Sequence, residues 1–359
     1  MQLKINHRLG VSKVDYFNSF SLNLKYDSVA STFGFQFYFD PKNKEHAELA
    51  CVSHFHEAIV EHNGETLVNG FLLSQEFNSG PKKEMAQFGG YSKTGVLADC
   101  TIPVDLYPLQ TNGLSIKEIC ERLLKPFKLK VKVDPSVADK AGQSISDITA
   151  EQSQTIMDFL TEACTQRNII LSHDEQGNLL LTSVNTKSKP LFHVEDGLIG
   201  TNIKLNFNGQ GMHSHITVMK QASADGGNAG EYTIRNPYVP IVFRPITIQA
   251  STGNDVTIQE AAMNELAKEL KNITLTVTTD RWEVDGKIIR PNNTITVYSP
   301  ENYIYKKTEF FIADIAFTGD QKKTTAVLTC YLPEVYNGKM PKNIFVDAHE
   351  NLPRFKYEK

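Results

Sequence analysis

The chain has 359 residues, 40% of them apolar and 22% charged, and a formal net charge of −4 at pH 7. That is the composition of an ordinary folded protein, with more chain than one hydrophobic core takes, so two to four domains are expected. The balance excludes a dedicated nucleic-acid binder, which would carry a strongly cationic segment or face. Five cysteines, Cys51, Cys100, Cys120, Cys164 and Cys330, are scattered and include no Cys-x-x-Cys pair. Their number and spacing argue against a disulfide framework or a structural zinc site and for free thiols in a reducing cytoplasm. Residues 1–7 hold no apolar stretch of signal-peptide length, and no later run is long enough to span a bilayer, so assembly in the cytoplasm without stable membrane association is expected.

The first hundred residues read as strands. Phe33, Phe35, Phe37 and Phe39 occupy every second position and so share one face of a strand. Residues 57–73 read as a hairpin, because Asn63-Gly64 supplies the positive φ angles of a type I′ turn between two apolar runs. Gly70 in its second strand marks a bend or bulge of the kind that closes barrels, and an antiparallel β-barrel over residues 1–102 is expected.

From Leu114 the period changes to 3.6 residues. Ser115 and Glu118 form a capping box, Ile116, Ile119, Cys120, Leu123 and Leu124 make one stripe, and Pro126 ends the helix. A strand at 129–133 and a polar link at 134–149 follow. Then come a helix with the stripe Ile156, Phe159, Leu160, Ala163 and Cys164, and a hairpin turning at Gly177-Asn178. Together they predict a small α/β domain over residues 103–188. Strand character resumes near Leu191, residues 222–231 read as a glycine-rich loop, and 257–271 as a helix capped by Thr257 and Glu260. Strands are expected at 273–277, 295–298, 310–315 and 325–331.

Two stretches carry a family resemblance. Arg281-Trp282-Glu283-Val284-Asp285-Gly286 is followed by Arg290-Pro291-Asn292-Asn293, an alternating run to Pro300, and paired strand segments ending Leu328-Thr329-Cys330-Tyr331-Leu332-Pro333. This order resembles the closing region of the baseplate hub proteins of contractile-tailed phages: the Mu-like hub, the late-control D protein of P2-like phages and, more distantly, the T4 hub. Gly89-Gly90-Tyr91-Ser92-Lys93-Thr94-Gly95, with Asp99-Cys100 downstream, resembles the Gly-Tyr-Ser-Arg-Thr segment that closes the first domain of Mu-like hubs, with Lys93 where Arg is usual.

The resemblance implies a mainly β chain with α+β insertions. It comprises two similar antiparallel β-barrel domains (1–102; 189–220 with 281–335), the small α/β domain, a helix-containing insertion over 221–280, and a C-terminal tail over 336–359. It further implies a homotrimer whose six barrels match the sixfold tail tube above while the threefold central spike attaches below. The partners implied are two further copies, the spike, tail tube or tube-initiator proteins, baseplate wedge proteins and the tape-measure protein, with DNA only in transit. Neither a cofactor, a metal nor an enzymatic activity is implied. The candidates for a domain junction or subunit interface are Gly90, Tyr91, Ser92, Lys93, Thr94 and Asp99, read as a loop in which bulk at Gly90 is poorly tolerated if its backbone needs a positive φ. Trp282, Gly286 and Pro291 are the candidates for the second-barrel core.

Catalytic strings are few. In His56-Glu57-Ala58-Ile59-Val60-Glu61-His62 the zincin spacing needs a His at Val60 and the inverted spacing one at Ala58, and the segment reads as a strand. His54-Phe55-His56 and His213-Ser214-His215 each place two imidazoles on one face of a strand. Repeated about a threefold axis, such a pair offers six metal ligands, but hydrogen-bonded structural histidines are the better reading. Ser92-Lys93-Thr94 lacks the glycine that a phosphate loop needs before its lysine. Competing functions are a tail-associated peptidoglycan hydrolase, a carbohydrate-binding tail protein, and the hub of a phage-like bacteriocin or type VI secretion spike.

Overall fold

The computed structural model describes residues 1–78, 85–107, 111, 113–145, 148–151, 153–165, 167–185, 188–220, 230–250, 257–320 and 322–345. It is mainly β, with several sheets and a few helices. Two compact units make it up: unit 1 comprises Met1–Ser183, Arg281–Ile289 and Asp314–Ala326, and unit 2 comprises Val184–Asp280, Arg290–Ala313 and Val327–Lys359.

Unit 1 opens with strands β1 (Gln2–His7), β2 (Gly10–Val14), β3 (Ser19–Lys25) and β4 (Thr32–Tyr38), a short helix α1 (Lys44–Leu49), and strands β5 (Glu57–His62), β6 (Glu65–Asn78) and β7 (Met85–Ser92). Their antiparallel order is β2-β1-β5-β6-β7-β4-β3. Alternation buries Leu3, Ile5, Leu22, Phe33, Phe35, Phe37, Ala58, Val60 and Phe88, the apolar half of a period-two pattern. Phe39 falls beyond the end of β4 and packs instead against Phe77 and His46. The β5–β6 turn is at Asn63 and Gly64, both with positive φ (49° and 83°), as a type I′ turn demands. The register of β6 slips between Leu72 and Ser74, so the bulge lies just beyond Gly70.

The middle of unit 1 is an α/β domain. It holds α2 (Val96–Asp99), α3 (Ile116–Leu124), β8 (Val131–Val133), α4 (Ala138–Gly142), α5 (Ile156–Thr165), β9 (Ile170–His173) and β10 (Leu179–Thr182), with strand order β8-β10-β9. Ser115 and Glu118 cap α3 reciprocally, and the stripes of α3 and α5 form the core with Leu179 and Leu181. The 134–149 segment is more ordered than its polarity suggests. Asp134 accepts from Ser136 N, Pro135 opens a short 3₁₀ turn, and α4 buries Ala141.

Unit 2 contains β11 (His193–Glu195), β12 (Thr201–Phe207), β13 (His215–Lys220), β14 (Glu231–Arg235), β15 (Pro245–Ala250), α6 (Ile258–Leu270) and β16 (Ile273–Thr279). The chain returns to unit 1 for the small hairpin β17 (Glu283–Val284) and β18 (Lys287–Ile288). It then runs through β19 (Asn293–Ser299), β20 (Ile304–Asp320), β21 (Thr324–Tyr331) and α7 (Glu334–Asn337). The last seven residues of β20 pair with β3 inside unit 1. Within unit 2 the order is β12-β16-β21-β20-β19-β11. The outer edge of β12 is closed by a side chain: Asn302 Oδ1 accepts from Leu205 N at 3.2 Å, and its Nδ2 donates to Ile203 O at 3.4 Å. An amide that donates and accepts like a backbone covers an edge otherwise open to pairing.

The helix-containing insertion has its own sheet, β14-β13-β15, with α6 packed on it through Ile216, Val218, Ile234, Ala262 and Leu266. Its first strand is β13, ahead of the boundary read at 221, and β16 pairs with β12 rather than joining the insertion. The glycine-rich loop expected at 222–231 lies, up to residue 229, outside the described residues, as does the tail after 345.

Candidate functional site

The Gly-Gly-Tyr-Ser segment is not a loop. Residues 85–92 are strand β7, and Lys93 begins a 3₁₀ turn that leads into α2. Gly90 does not have a positive φ; its requirement is close approach, since a Cβ there would lie 1.9 Å from Phe71 O and 2.7 Å from Phe33 Cζ. Gly70 faces the same crossing from the other strand, with a Cβ position 1.8 Å from Tyr91 O. Gly95 allows the Tyr91 ring to fold back over the turn, where its hydroxyl donates to Asp99 Oδ2 at 2.6 Å. Burial and the Asp99 carboxylate beside it push the Tyr91 hydroxyl well above its ordinary pKa. Ser92 and Thr94 are buried. Ser92 N donates to Ser31 O at 2.9 Å, and Ser92 Oγ accepts from Ser31 N at 3.1 Å.

These residues meet at a junction within unit 1. Lys93 pairs with Glu57 of β5, whose other carboxylate oxygen accepts from Asn6 at 3.1 Å. Burial raises the Glu57 carboxyl pKa, but the bonds from Lys93 and Asn6 outweigh it and hold it below the ordinary value. The Gly177 turn of the α/β domain lies on this pair, with a Cβ position 2.9 Å from Lys93 Cβ and 3.0 Å from Asn69 O. His173 adds a second tie: Nδ1 donates to Ser28 O and Nε2 accepts from Ser31 Oγ, both at 2.8 Å. Burial lowers the His173 pKa, so the ring is neutral in this setting. Tyr26, its hydroxyl pushed up to about 12 by burial, donates to Ser183 O at 2.7 Å. The arrangement fixes one domain on another. Lys93 is committed to a carboxylate, which leaves no phosphate-loop chemistry at Ser92-Lys93-Thr94.

Of the three second-barrel candidates, Trp282 and Gly286 fall in unit 1 and Pro291 in unit 2. Trp282 belongs to unit 1, half-buried edge-to-face against Phe20 (5.5 Å) and Phe317 (5.3 Å). Beside it Glu283 accepts from His62 Nε2 at 2.7 Å and Asn63 Nδ2 at 2.9 Å, so this short return of the chain is pinned to the β5–β6 turn. Gly286 is an exposed turn residue with φ +74°, not core. Pro291 is half-buried in unit 2.

The histidine strings are structural in setting. His54 and Phe55 precede β5 in a loop where Phe55 has a positive φ of 46°, so no strand aligns His54 with His56. His56 Nε2 bonds Glu48 O at 3.0 Å, and His213 Nδ1 donates to Glu269 Oε1 at 2.6 Å. Glu269 is buried at the end of α6 and also accepts from His213 N (2.9 Å) and Asn236 Nδ2 (3.1 Å), a clasp at the root of the insertion. Among the described residues no three His, Cys, Asp or Glu side chains converge as a metal site, all five cysteines are free, and no helix is long and apolar enough to cross a membrane.

The fold is that of phage tail proteins. The chain is similar to the 43 kDa tail protein of prophage MuSo2 from Shewanella oneidensis, with 19% identity, a TM-score of 0.76, and coverage of 95% of this chain and 100% of that one. It is similar to the tail protein from Neisseria meningitidis MC58 at 16% identity and TM-score 0.76, over 94% and 98% of the two chains. A more distant likeness, 10% identity and TM-score 0.56 over 96% and 80%, is to the E. coli c3393 protein, a type VI secretion component described as similar to T4 tail proteins gp27 and gp5. Residues 94–183, the α/β domain of unit 1, match the family model for the second domain of gp44-like baseplate hub proteins. No curated protein matches the chain by sequence.

Proposed function

We propose that the protein is the structural hub of a contractile phage tail baseplate, a homotrimer that joins the sixfold tail tube to the threefold spike and lets DNA pass after the spike leaves. The observation that carries this is the match of residues 94–183 to the gp44-like hub domain, set within a fold shared almost end to end with two tail proteins, one of them from a prophage. Six barrels from three copies give a threefold ring a sixfold face, and large, permanent interfaces supply specificity without catalysis. Its partners are then two further copies, the spike, the tail tube or its initiator, the wedge proteins and the tape-measure protein. Tyr91, Ser92 and Lys93 serve the junction in unit 1, each bonded within the chain. The two acids of the one tempting catalytic string are both held, Glu57 by Lys93 and Asn6 and Glu61 by Lys4, which favours a structural over a hydrolytic role.

Sedimentation of the purified chain with and without its spike tests the reading. Three times the chain mass is expected, and monomer alone at micromolar concentration in both samples contradicts it. Peptidoglycan digestion no faster than buffer is the accompanying expectation.

A further inference from the structure

Strand β8 is an edge of the three-stranded sheet in the α/β domain: among the described residues it pairs only with β10. The stretch that leads into it is rich in lysine. Lys125, Lys128, Lys130 and Lys132 are exposed within eight residues. Lys132 is paired with Asp174 at 2.5 Å, whereas no carboxylate pairs with Lys125, Lys128 or Lys130 among the described residues. Lys130 and Lys132 stand on one side of the strand, about 6.6 Å apart at twice the rise per residue. Leu129, Val131 and Val133 turn the other way, against the domain core. Lys128, in the left-handed conformation (φ 56°), swings the chain from the helix end into this run.

An open backbone edge and two lysines without a carboxylate partner just ahead of it, Lys128 and Lys130, coincide, and they ask for the same thing. We propose that β8 is a docking edge for an extended acidic segment of another protein. The segment adds as a fourth strand, hydrogen-bonded to Val131 and Val133, with its carboxylates meeting Lys130 and, beyond the start of the strand, Lys128. A polypeptide fits better than a nucleic acid, because the edge offers backbone donors and acceptors in register, which a phosphate chain does not use. In addition, part of the local charge is already neutralised by Asp174. The inference concerns unit 1 alone and does not rest on the hub reading. Edge lysines also serve to discourage self-pairing, and that purely protective role predicts no ligand.

The test is fluorescence anisotropy on the full chain with a labelled peptide alternating Glu and Thr. Three comparisons go with it: a peptide of the same composition with its glutamates in one block, a version N-methylated at alternate residues, and a single-stranded oligonucleotide of equal charge. Saturable binding of the alternating peptide is expected, weakened about tenfold in Lys128→Gln/Lys130→Gln, where two ion pairs are lost, and abolished by N-methylation, which removes the strand's donors. The double variant, altered only at exposed side chains, should melt with the parent. No saturable binding, or equal binding of the blocked peptide, the N-methylated peptide or the oligonucleotide, overturns the proposal.

Discussion

Gly90→Ala is the sharpest perturbation of the junction. The added methyl would sit 1.9 Å from Phe71 O, and moving it to even 3.0 Å requires the β6 and β7 backbones to part by about an ångström. That opens the ladder around the Leu72↔Gly90 and Phe71↔Tyr91 pairs. Two lost backbone hydrogen bonds at about 1 kcal/mol each, with an overpacking cost of about 1–3 kcal/mol, give a destabilisation of roughly 3–5 kcal/mol. For a unit of this size that lowers Tm by roughly 6–20 °C. Urea unfolding followed by the fluorescence of Trp282, the only tryptophan and a member of unit 1, measures it directly. Gly142→Ala is the control: it lies in α4 with ordinary φ and nothing within 4 Å of its Cβ position, so it should be neutral or stabilising by up to about 1 kcal/mol. If Gly90→Ala unfolds within about 0.5 kcal/mol of the parent, the close-approach argument is wrong.

Further outcomes follow from the same geometry. His173 is neutral and buried with a lowered pKa, so the stability it contributes is complete above about pH 6.5 and is lost as pH falls and the unfolded chain takes up the proton. The unit 1 midpoint should therefore fall less steeply between neutral and mildly acid pH in His173→Gln than in the parent; parallel curves refute this. Glu269→Ala leaves three donors without this acceptor, the Asn236 one buried and the two of His213 partly so, and should cost about 2–3 kcal/mol, seen as faster amide exchange across β13, β14 and α6, whereas unchanged exchange would deny the clasp its role. Trp282→Ala removes contacts with Phe20 and Phe317 and should destabilise unit 1 by about 2 kcal/mol, less than a fully buried tryptophan; a shift in unit 2 alone would contradict its placement.

Local signals were legible where local physics decides. The capping boxes at Ser115/Glu118 and Thr257/Glu260 start α3 and α6, and Asn63-Gly64 turns the first hairpin, because those bonds and φ angles are made within four residues. What stayed hidden depends on partners far along the chain. Gly90 looked like a loop glycine because nothing nearby in sequence announces the backbone of Phe71 across the sheet. Sequence order groups Trp282 with the strands that follow it, yet the chain returns to unit 1 for nine residues, and His62, its neighbour there through Glu283, is more than two hundred residues away. Asn302 and Glu269 gave no signal either: an amide closing a strand edge and a carboxylate under three donors have the same sequence appearance as any surface polar residue. The resemblance in 89–99 and 281–333 pointed to the hub family through residues whose structural duties became visible only with the fold.

Averaged imaging of purified tail particles carrying an affinity label on this chain distinguishes a baseplate hub from a peripheral component. Three labelled copies in a ring between tube and spike are expected. Particles that lack the label, or that carry it on peripheral fibres, would contradict the hub reading.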